Sequence, residues 1–589
     1  MGINYSTLNS AQREAVFSDY PRTLCLAGAG TGKTEVLTHR IARLWEAGVS
    51  PENILALTFT RAAGAEMKER VIGLIGADGK KLFCNTFHAF CVNVIRENAV
   101  ALGYEPDFSV YDQTESDDLL TEVLAELQYK IPAKQVAQYR AGKAADMNSM
   151  SIKQAERAAK EYEFRLKRNN AFDFDGLIAT VKLALFEISG IRENLRMRYR
   201  HVFVDEFQDT DAAQWEIVRR FHPENLFVVG DDFQSIYGFR GSDISIILGL
   251  ADNPDWHTVK LEQNYRSTVP IINAANKLIK HNKQTEKKLI TDKSGVAVVY
   301  REPEDDYAEI ADIIYQLGNS QLKTTAIIAR TNKQIDNAKS ILKSRGVHCG
   351  TLSDDNNPMA SNGAKYLLAW IAVFANPQDD VAMRKIASAR MSKAAMHEVD
   401  RMQLYGSGSF IDALRETTAG VEFVAEFDAQ RHDFQNSYDL LSGATRLNVR
   451  GMVSANCCQA LQQIGMWQQR QFALGEPASA ADLLDWVRSG SFADKSAKER
   501  DASKVWLMTV HGSKGLEFDE VYVIGAAQGT FPNRGDIEEE RRLFYVAVTR
   551  AREYLNISRP QVMTDWYGNK RITERSQFVN EAINIKGEL

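Results

Sequence analysis

The chain has 589 residues, 44% hydrophobic and 25% charged, with a formal net charge of −6. That length is too great for one hydrophobic core and implies three or four packed domains, while the ordinary composition excludes extensive disorder. The acidic balance excludes a surface coated in basic charge but leaves room for a local basic channel.

The first residues, MGINYSTLNSAQREAV, lack the basic-then-apolar pattern of a secretory signal, and no run of about 18 apolar residues is present to span a bilayer. No membrane partner is expected. The cysteines, Cys25, Cys84, Cys91, Cys349, Cys457 and Cys458, form no CxxC pair, so free thiols in a reducing cytoplasm are expected.

Short runs rich in β-branched residues recur along the chain. RTLCLAG (22–28), NILALTFT (53–60), HVFVDE (201–206) and NLFVVGDD (225–232) each lead into a turn and a helical pattern. TTAIIART (324–331), KVWLMTV (504–510) and DEVYVIG (519–525) form a second set. Buried parallel strands alternating with helices predict an α/β fold with two sheet cores. Two helical stretches, 94–195 and 386–501, read as insertions into those cores. In the first, Leu120, Val123, Leu124 and Leu127 share a face, with Ser116 or Asp117 as the cap. Residues 354–363, DDNNPMASNG, read as a loop.

The first strand runs into Ala27-Gly28-Ala29-Gly30-Thr31-Gly32-Lys33-Thr34 and then a helix with Leu37, Ile41 and Leu44 on one face. Strand, glycine loop and helix together predict a phosphate cradle: backbone N–H groups wrap the phosphates, Lys33 adds a point charge, and Thr34 offers a hydroxyl to Mg²⁺. Carboxylates for that ion are expected at a neighbouring strand end, where HVFVDEFQDT places Asp205 and Glu206. Asp205 is expected to hold Mg²⁺ through water, and Glu206 to orient and deprotonate the attacking water. A DE pair ending a strand is by itself an ordinary solvated turn; the glycine loop gives it its meaning.

From LNSAQREAV (8–16) onward the chain resembles the UvrD/Rep/PcrA group of superfamily 1A DNA helicases. The blocks that carry the resemblance are AGAGTGKT, LTFTRAAGAEMKERV (57–71), NTFHAF (85–90), VDEFQDT, VGDDFQSIYGFRGS (229–242) and LEQNYRS (261–267). The most specific are TVHGSKGLEFDEVYVIG (509–525), GTFPN (529–533) and EEERRLFYVAVTRARE (538–553), and YGNKRITERSQFVNEA (567–582) looks like the end of the motor. The resemblance implies two RecA-like motor domains, 1–93 with 196–275 and 276–385 with 502–589, each carrying a mainly helical insertion. It also implies ATP and Mg²⁺ as ligands, 3′→5′ movement on single-stranded DNA, and activity at single/double-strand junctions.

Carried over residue by residue, Gln12 reads the adenine, Tyr265 stacks on it and Glu517 meets the ribose. Gln234 and Arg266 contact the γ-phosphate, and Arg550 reaches it from the second motor domain as an arginine finger. A single-strand track is expected at Phe59, Thr60, Arg61, Phe87, His88, Tyr237, Phe239 and Arg240, joined by Arg330, Asn332 and His511. For each aromatic taken singly, core packing is the default.

Three positions depart from the family pattern. Glu35 stands where a basic residue near adenine is usual, so that either nucleotide choice is less strict or Arg40 substitutes. Phe233 replaces an acid, with no explanation in the sequence, and Phe239 replaces a tryptophan. The second insertion is expected to be shorter than its counterpart, and the segment after Glu553 too short for a fused nuclease. A specialised member is therefore also conceivable, a translocase or DNA-dependent ATPase subunit serving a separate nuclease or other protein partner, for example in antiphage defence.

Overall fold

The runs rich in Val, Ile and Leu become strands that are buried on both faces, because helices cover each side of the sheets they form. The computed structural model describes residues 2–142, 147–318, 324–351, 359, 361–405, 408–435, 440–449, 458–476, 478–488, 504–533, 535–564 and 570–583. Cys457, most of the 354–363 segment and residues 567–569 of the terminal block lie outside the described residues.

Strands β1 (Arg22–Ala27), β2 (Ile54–Thr58) and β3 (Phe83–Thr86) come first, followed by the short β4 (Ser109–Tyr111) and β5 (Ala171–Asp173). Then come β6 (His201–Val204), β7 (Asn225–Gly230), β8 (His257–Leu261), β9 (Val299–Arg301), β10 (Thr325–Ala329) and β11 (Cys349–Thr351). The last are β12 (Val505–Thr509), β13 (Phe518–Val523), β14 (Ala551–Ser558), β15 (Val562–Thr564) and β16 (Lys570–Ile572). They build two six-stranded parallel sheets, ordered β3-β2-β6-β7-β1-β8 and β11-β12-β10-β13-β14-β9. The fold is thus α/β, with two RecA-like sheets interrupted by mainly helical insertions.

Segments Met1–Thr86, Glu193–Asp355 and Lys495–Leu589 form one compact unit, which holds both sheets. One apolar cluster joins the helix that follows the first sheet to the core of the second. Helix Val269–Ile279, leaving the first sheet, buries Ile271, Ile272, Ala275 and Leu278 in the same cluster as Leu543, Phe544 and Ala547 of helix Ile537–Val548. At about 1.5–3 kcal/mol for each large apolar side chain buried, that seam is a major source of the unit's cohesion.

Segments Phe87–Arg192 and Asn356–Asp494 form the second, mainly helical unit. Its later part begins well before the expected residue 386. Helices Asn362–Ala375 and Asp380–Arg390 belong to it, because Trp370, Ile371, Phe374, Met383 and Ile386 are buried in a helical core and not against a sheet. The cap of the first insertion's amphipathic helix is also corrected. Helix Gln113–Glu126 starts after Asp112, which forms a capping box with Glu115, so Ser116 and Asp117 are interior. Polar contacts tie the two insertions together: Asp379 accepts from Ser109 Oγ (2.7 Å) and Tyr111 Oη (3.0 Å), and Arg488 pairs with Glu115 (2.7 Å). Among the described residues, no helix is long and apolar enough to cross a membrane.

Candidate active site

β1 delivers the glycine loop to its carboxyl end, where helix Lys33–Glu46 begins. Gly30 and Gly32 have φ of +67° and +84°, a region in which side chains are strained. At Gly30 space is short as well, since a Cβ would lie 2.7 Å from Arg266 Cβ, and at Gly32 a Cβ would displace Gln12 Nε2, 2.7 Å away. The first N–H groups of the helix have no intrahelical acceptor, so the loop and helix start present donors to an anion. Gln12 lies against this loop, donating to the Thr31 carbonyl at 3.0 Å, and Tyr265 N donates to the Gly30 carbonyl at 2.9 Å. The Tyr265 ring is 49% exposed, with its hydroxyl accepting from Asn9 Nδ2.

The sheet order makes neighbours of residues far apart in sequence. Asp205 and Glu206 follow β6, Gln234 follows β7, the loop follows β1 and Arg266 follows β8, which are four adjacent strands with carboxyl ends on one edge. Lys33 Nζ lies 3.5 Å from Glu206 Oε1. Glu206 itself is left-handed (φ +49°, ψ +42°), a strain of about 1–3 kcal/mol for a side-chain-bearing residue. Burial raises its carboxyl's pKa, but Lys33, Lys514 and Gln208 outweigh burial and bring it down to about 2. Asp205 goes the other way, pushed up to about 7 by burial and then by Glu206. Its Oδ1 is buried without a hydrogen-bond partner, an orphaned carboxylate oxygen beside the phosphate loop. That oxygen, with the hydroxyl of Thr34 in the first turn of helix Lys33–Glu46, is of the chemistry that fits a hard divalent cation.

From the second sheet, Arg550 and Glu517 stand immediately before β14 and β13, at the amino ends of their strands. Arg550 is 1% exposed, and its guanidinium bonds only neutral partners: Val546 O (2.9 Å), Leu516 O (3.0 Å), Gln234 Oε1 (2.9 Å) and Thr549 Oγ1 (3.2 Å). Burial, then Arg266, brings its pKa down to about 9. A buried guanidinium bonded to neutral groups keeps its charge uncompensated by these bonds, which suits it to an anion. Arg266 Nε meets Glu517 Oε2 at 2.5 Å, and Arg552 pairs with the same carboxylate. Glu517 is thus engaged by two arginines, and its pKa falls to about 2 despite burial.

The residues expected along a strand divide into groups. Phe59 and Tyr237 stack at 5.0 Å, Phe239 meets His511 edge-on at 5.3 Å, and Arg240 lies over Tyr237 at 5.1 Å, so one aromatic cluster joins the ends of β2, β7 and β12. Phe239 is 64% exposed, which removes the core reading for its ring. Thr60 caps helix Arg61–Ile75 through its side chain. Arg330 is held by Glu540 (2.6 Å), while Asn332 is exposed at a helix start. Burial and the neighbouring Arg330 bring the His511 pKa down to about 4, so its ring is neutral at pH 7. Phe87 and His88 open a helix of the second unit. Phe87 is buried there, and His88 packs edge-on against Phe174.

The departures gain physical explanations. Arg40 does not substitute near Glu35: it is buried, donates to Ala15 O and Val16 O, and lies 4.6 Å over the Phe227 ring. The groups beside Glu35 are His39 (3.4 Å) and Arg70 (3.9 Å). Phe233 is buried edge-on against Tyr545, with Lys287 Nζ 3.9 Å from its ring centroid. Sequence reasoning missed Lys514, although its block was recognised. Its Nζ pairs with Asp209, donates to Gln234 O at 2.9 Å and lies 4.8 Å over the Tyr237 ring, so it touches both the phosphate residues and the aromatic cluster.

Known proteins are similar to the chain over nearly all of its length. The model of the UvrD/REP helicase N-terminal domain matches residues 8–255, and that of the UvrD-like helicase C-terminal domain matches 259–433 and 461–561. The ATP-dependent DNA helicase PcrA of Staphylococcus epidermidis is 32% identical over 655 aligned positions, covering 99% of this chain and 87% of the relative. PcrA of Staphylococcus aureus is 32% identical over 625 positions, covering 94% and 83%. With two of the family's domain models matching most of its length and relatives 32% identical over nearly all of it, the chain belongs to the UvrD/REP helicase family.

Proposed function

We propose that the chain is an ATP-dependent DNA helicase that moves 3′→5′ along single-stranded DNA and separates duplex ahead of it. The observation that carries this reading is Arg550, a buried cation from the second sheet that bonds Gln234 at 2.9 Å beside the Lys33 loop of the first. A triphosphate there is gripped from both sheets.

Each residue then has a role. The Gly28–Thr34 backbone and Lys33 bind the β- and γ-phosphates, Gln12 and Tyr265 hold the base, and Gln234 and Arg266 orient the terminal phosphate. Glu517 binds the ribose, exchanging part of its bonding with Arg266. Asp205 and Thr34 would hold a magnesium ion, which supplies charge neutralisation at the phosphate oxygens. Glu206, kept ionised by Lys33 and Lys514, takes the proton of the attacking water. Loss of the terminal phosphate removes the anion that Arg550 and Lys33 share, and the sheets part.

Phe59, Tyr237, Phe239 and His511 offer π-faces to bases, with Arg61, Arg240, Arg330 and Asn332 as backbone donors. Arg330 would exchange Glu540 for a phosphate. Phe87 and His88 remain proposed contacts, with His88 the more accessible. Phe239→Ala should weaken single-strand affinity by about 1–3 kcal/mol, read by fluorescence anisotropy with labelled oligonucleotides. The melting temperature should not change, since the ring is 64% exposed. Unchanged affinity would remove Phe239 from the track.

Strand displacement on duplexes with 3′ or 5′ tails tests the whole reading. Displacement from the 3′ tail alone is expected. DNA-stimulated hydrolysis without displacement from either tail would instead identify a translocase that needs a partner, and displacement from the 5′ tail would reverse the polarity.

A further inference from the structure

The segment that connects the two sheets carries a lysine in a fully enclosed cluster of charges. Lys287 Nζ lies 2.6 Å from Asp231 Oδ1 and 2.5 Å from Asp232 Oδ1, and all three side chains are 0% exposed. We propose that Lys287 is a positioning residue for hydrolysis: through Asp231 it fixes which way the Gln234 amide faces, and so presents Gln234 Oε1 to Arg550. This rests on the reading of the cleft as the site of ATP hydrolysis.

The bonds around Asp231 carry the inference. Oδ1 accepts from Lys287 and from Phe233 N (3.2 Å), while Oδ2 accepts from Gln234 Nε2 at 2.5 Å. An amide that gives its nitrogen to Asp231 must turn its oxygen away, and that oxygen accepts from Arg550 Nη2 at 2.9 Å. The opposite orientation would set the amide nitrogen against the guanidinium, donor against donor, and the amide oxygen against a carboxylate. Lys287 is the buried cation that compensates Asp231 in that role.

A buried ion pair is weak evidence for stability, because desolvation can cancel the attraction, so its geometry is the more informative feature. The surroundings are arranged around that geometry. Thr285 N and Oγ1 donate to Asp232 at 2.8 and 3.0 Å, fixing the backbone two residues before Lys287. Phe233 closes one side with its ring, and an acid there would give the single ammonium a third carboxylate. Earlier in the same segment, Asn282 Nδ2 donates to Glu538 O (2.8 Å), and its Oδ1 accepts from Arg541 Nη1 (2.6 Å). Glu538 and Arg541 lie on helix Ile537–Val548, which ends two residues before Arg550. The connection therefore holds Gln234 from one side and the arginine's helix from the other.

Lys287→Gln alone would leave two buried carboxylates without a cation and could unfold the chain. The test therefore uses Asp232→Asn/Lys287→Gln, which removes one carboxylate along with the cation, with Asp232→Asn alone as the control. ATP kcat and KM are measured at saturating single-stranded DNA, in backgrounds with and without Gln234→Ala. The control should stay within about threefold of wild type in kcat. The double substitution should lower kcat by about 10- to 100-fold, with KM for ATP changed by less than about threefold, as expected of a misaimed group. Adding it to Gln234→Ala should cost nothing further, because both act through one amide. An unaltered kcat, or effects that multiply with Gln234→Ala, would overturn the positioning role alone. A wild-type chain that does not hydrolyse ATP would overturn the reading of the cleft, and this role with it.

Discussion

Glu206→Gln should bind ATP with near wild-type affinity yet lose about 10²–10⁴-fold in turnover. The two side chains have the same shape, so Gln208 and the left-handed backbone at this position need not rearrange. What disappears is the basic oxygen that Lys33 and Lys514 keep ionised despite burial. Binding of a non-hydrolysable ATP analogue together with steady-state hydrolysis separates the two effects. Wild-type turnover in the variant would remove Glu206 from the reaction. Loss of binding and turnover together would mean that the carboxylate chiefly holds Lys33 in place.

Arg550→Ala should cost about 10³–10⁵-fold in kcat, the range of an arginine that meets developing charge on a transferred phosphoryl group. Its hydrogen-bond partners are neutral, so truncation strands no buried carboxylate, and the fold should survive at a cost of about 1–3 kcal/mol from unmade hydrogen bonds. Arg550→Lys keeps the charge but not the planar fork that serves Gln234, Leu516 and Thr549 together, and should fall between the two. The measurement is kcat and KM for ATP, with the melting temperature as a check on folding. Near wild-type kcat in Arg550→Ala would leave the cleft without its second-sheet hand.

Much of this site was legible because its parts are local. A glycine loop between strand and helix, a carboxylate pair ending a strand, and aromatic residues after strand ends are each written in a few consecutive residues. Sheet order then brings them to one edge. Long-range partnerships were not legible. Nothing in NKQTEKKL marks Lys287 as the cation for Asp231 and Asp232, and only the packed connection between sheets explains a phenylalanine at 233. The amino-end placement of Arg550 and Glu517 was equally hidden, since the usual rule looks to carboxyl ends. Arg40 misled because a basic residue near the loop in sequence turns into the protein and caps the carbonyls of helix Ser10–Phe17. Helix Asn362–Ala375 and the start of Asp380–Arg390 fall within the stretch expected of a sheet core, because an apolar run covered on all sides reads alike in either setting.

Lys514 links the two proposed sites in one side chain, touching Asp209 and Gln234 on one side and the Tyr237 ring on the other. Occupancy of the aromatic cluster is therefore expected to be felt at the phosphate. The most direct test is the rate of ATP hydrolysis by the full chain as single-stranded DNA is added. A saturable rise, lost in Glu206→Gln, is the predicted result. A rate indifferent to DNA at every concentration would contradict a nucleotide cleft coupled to a strand track.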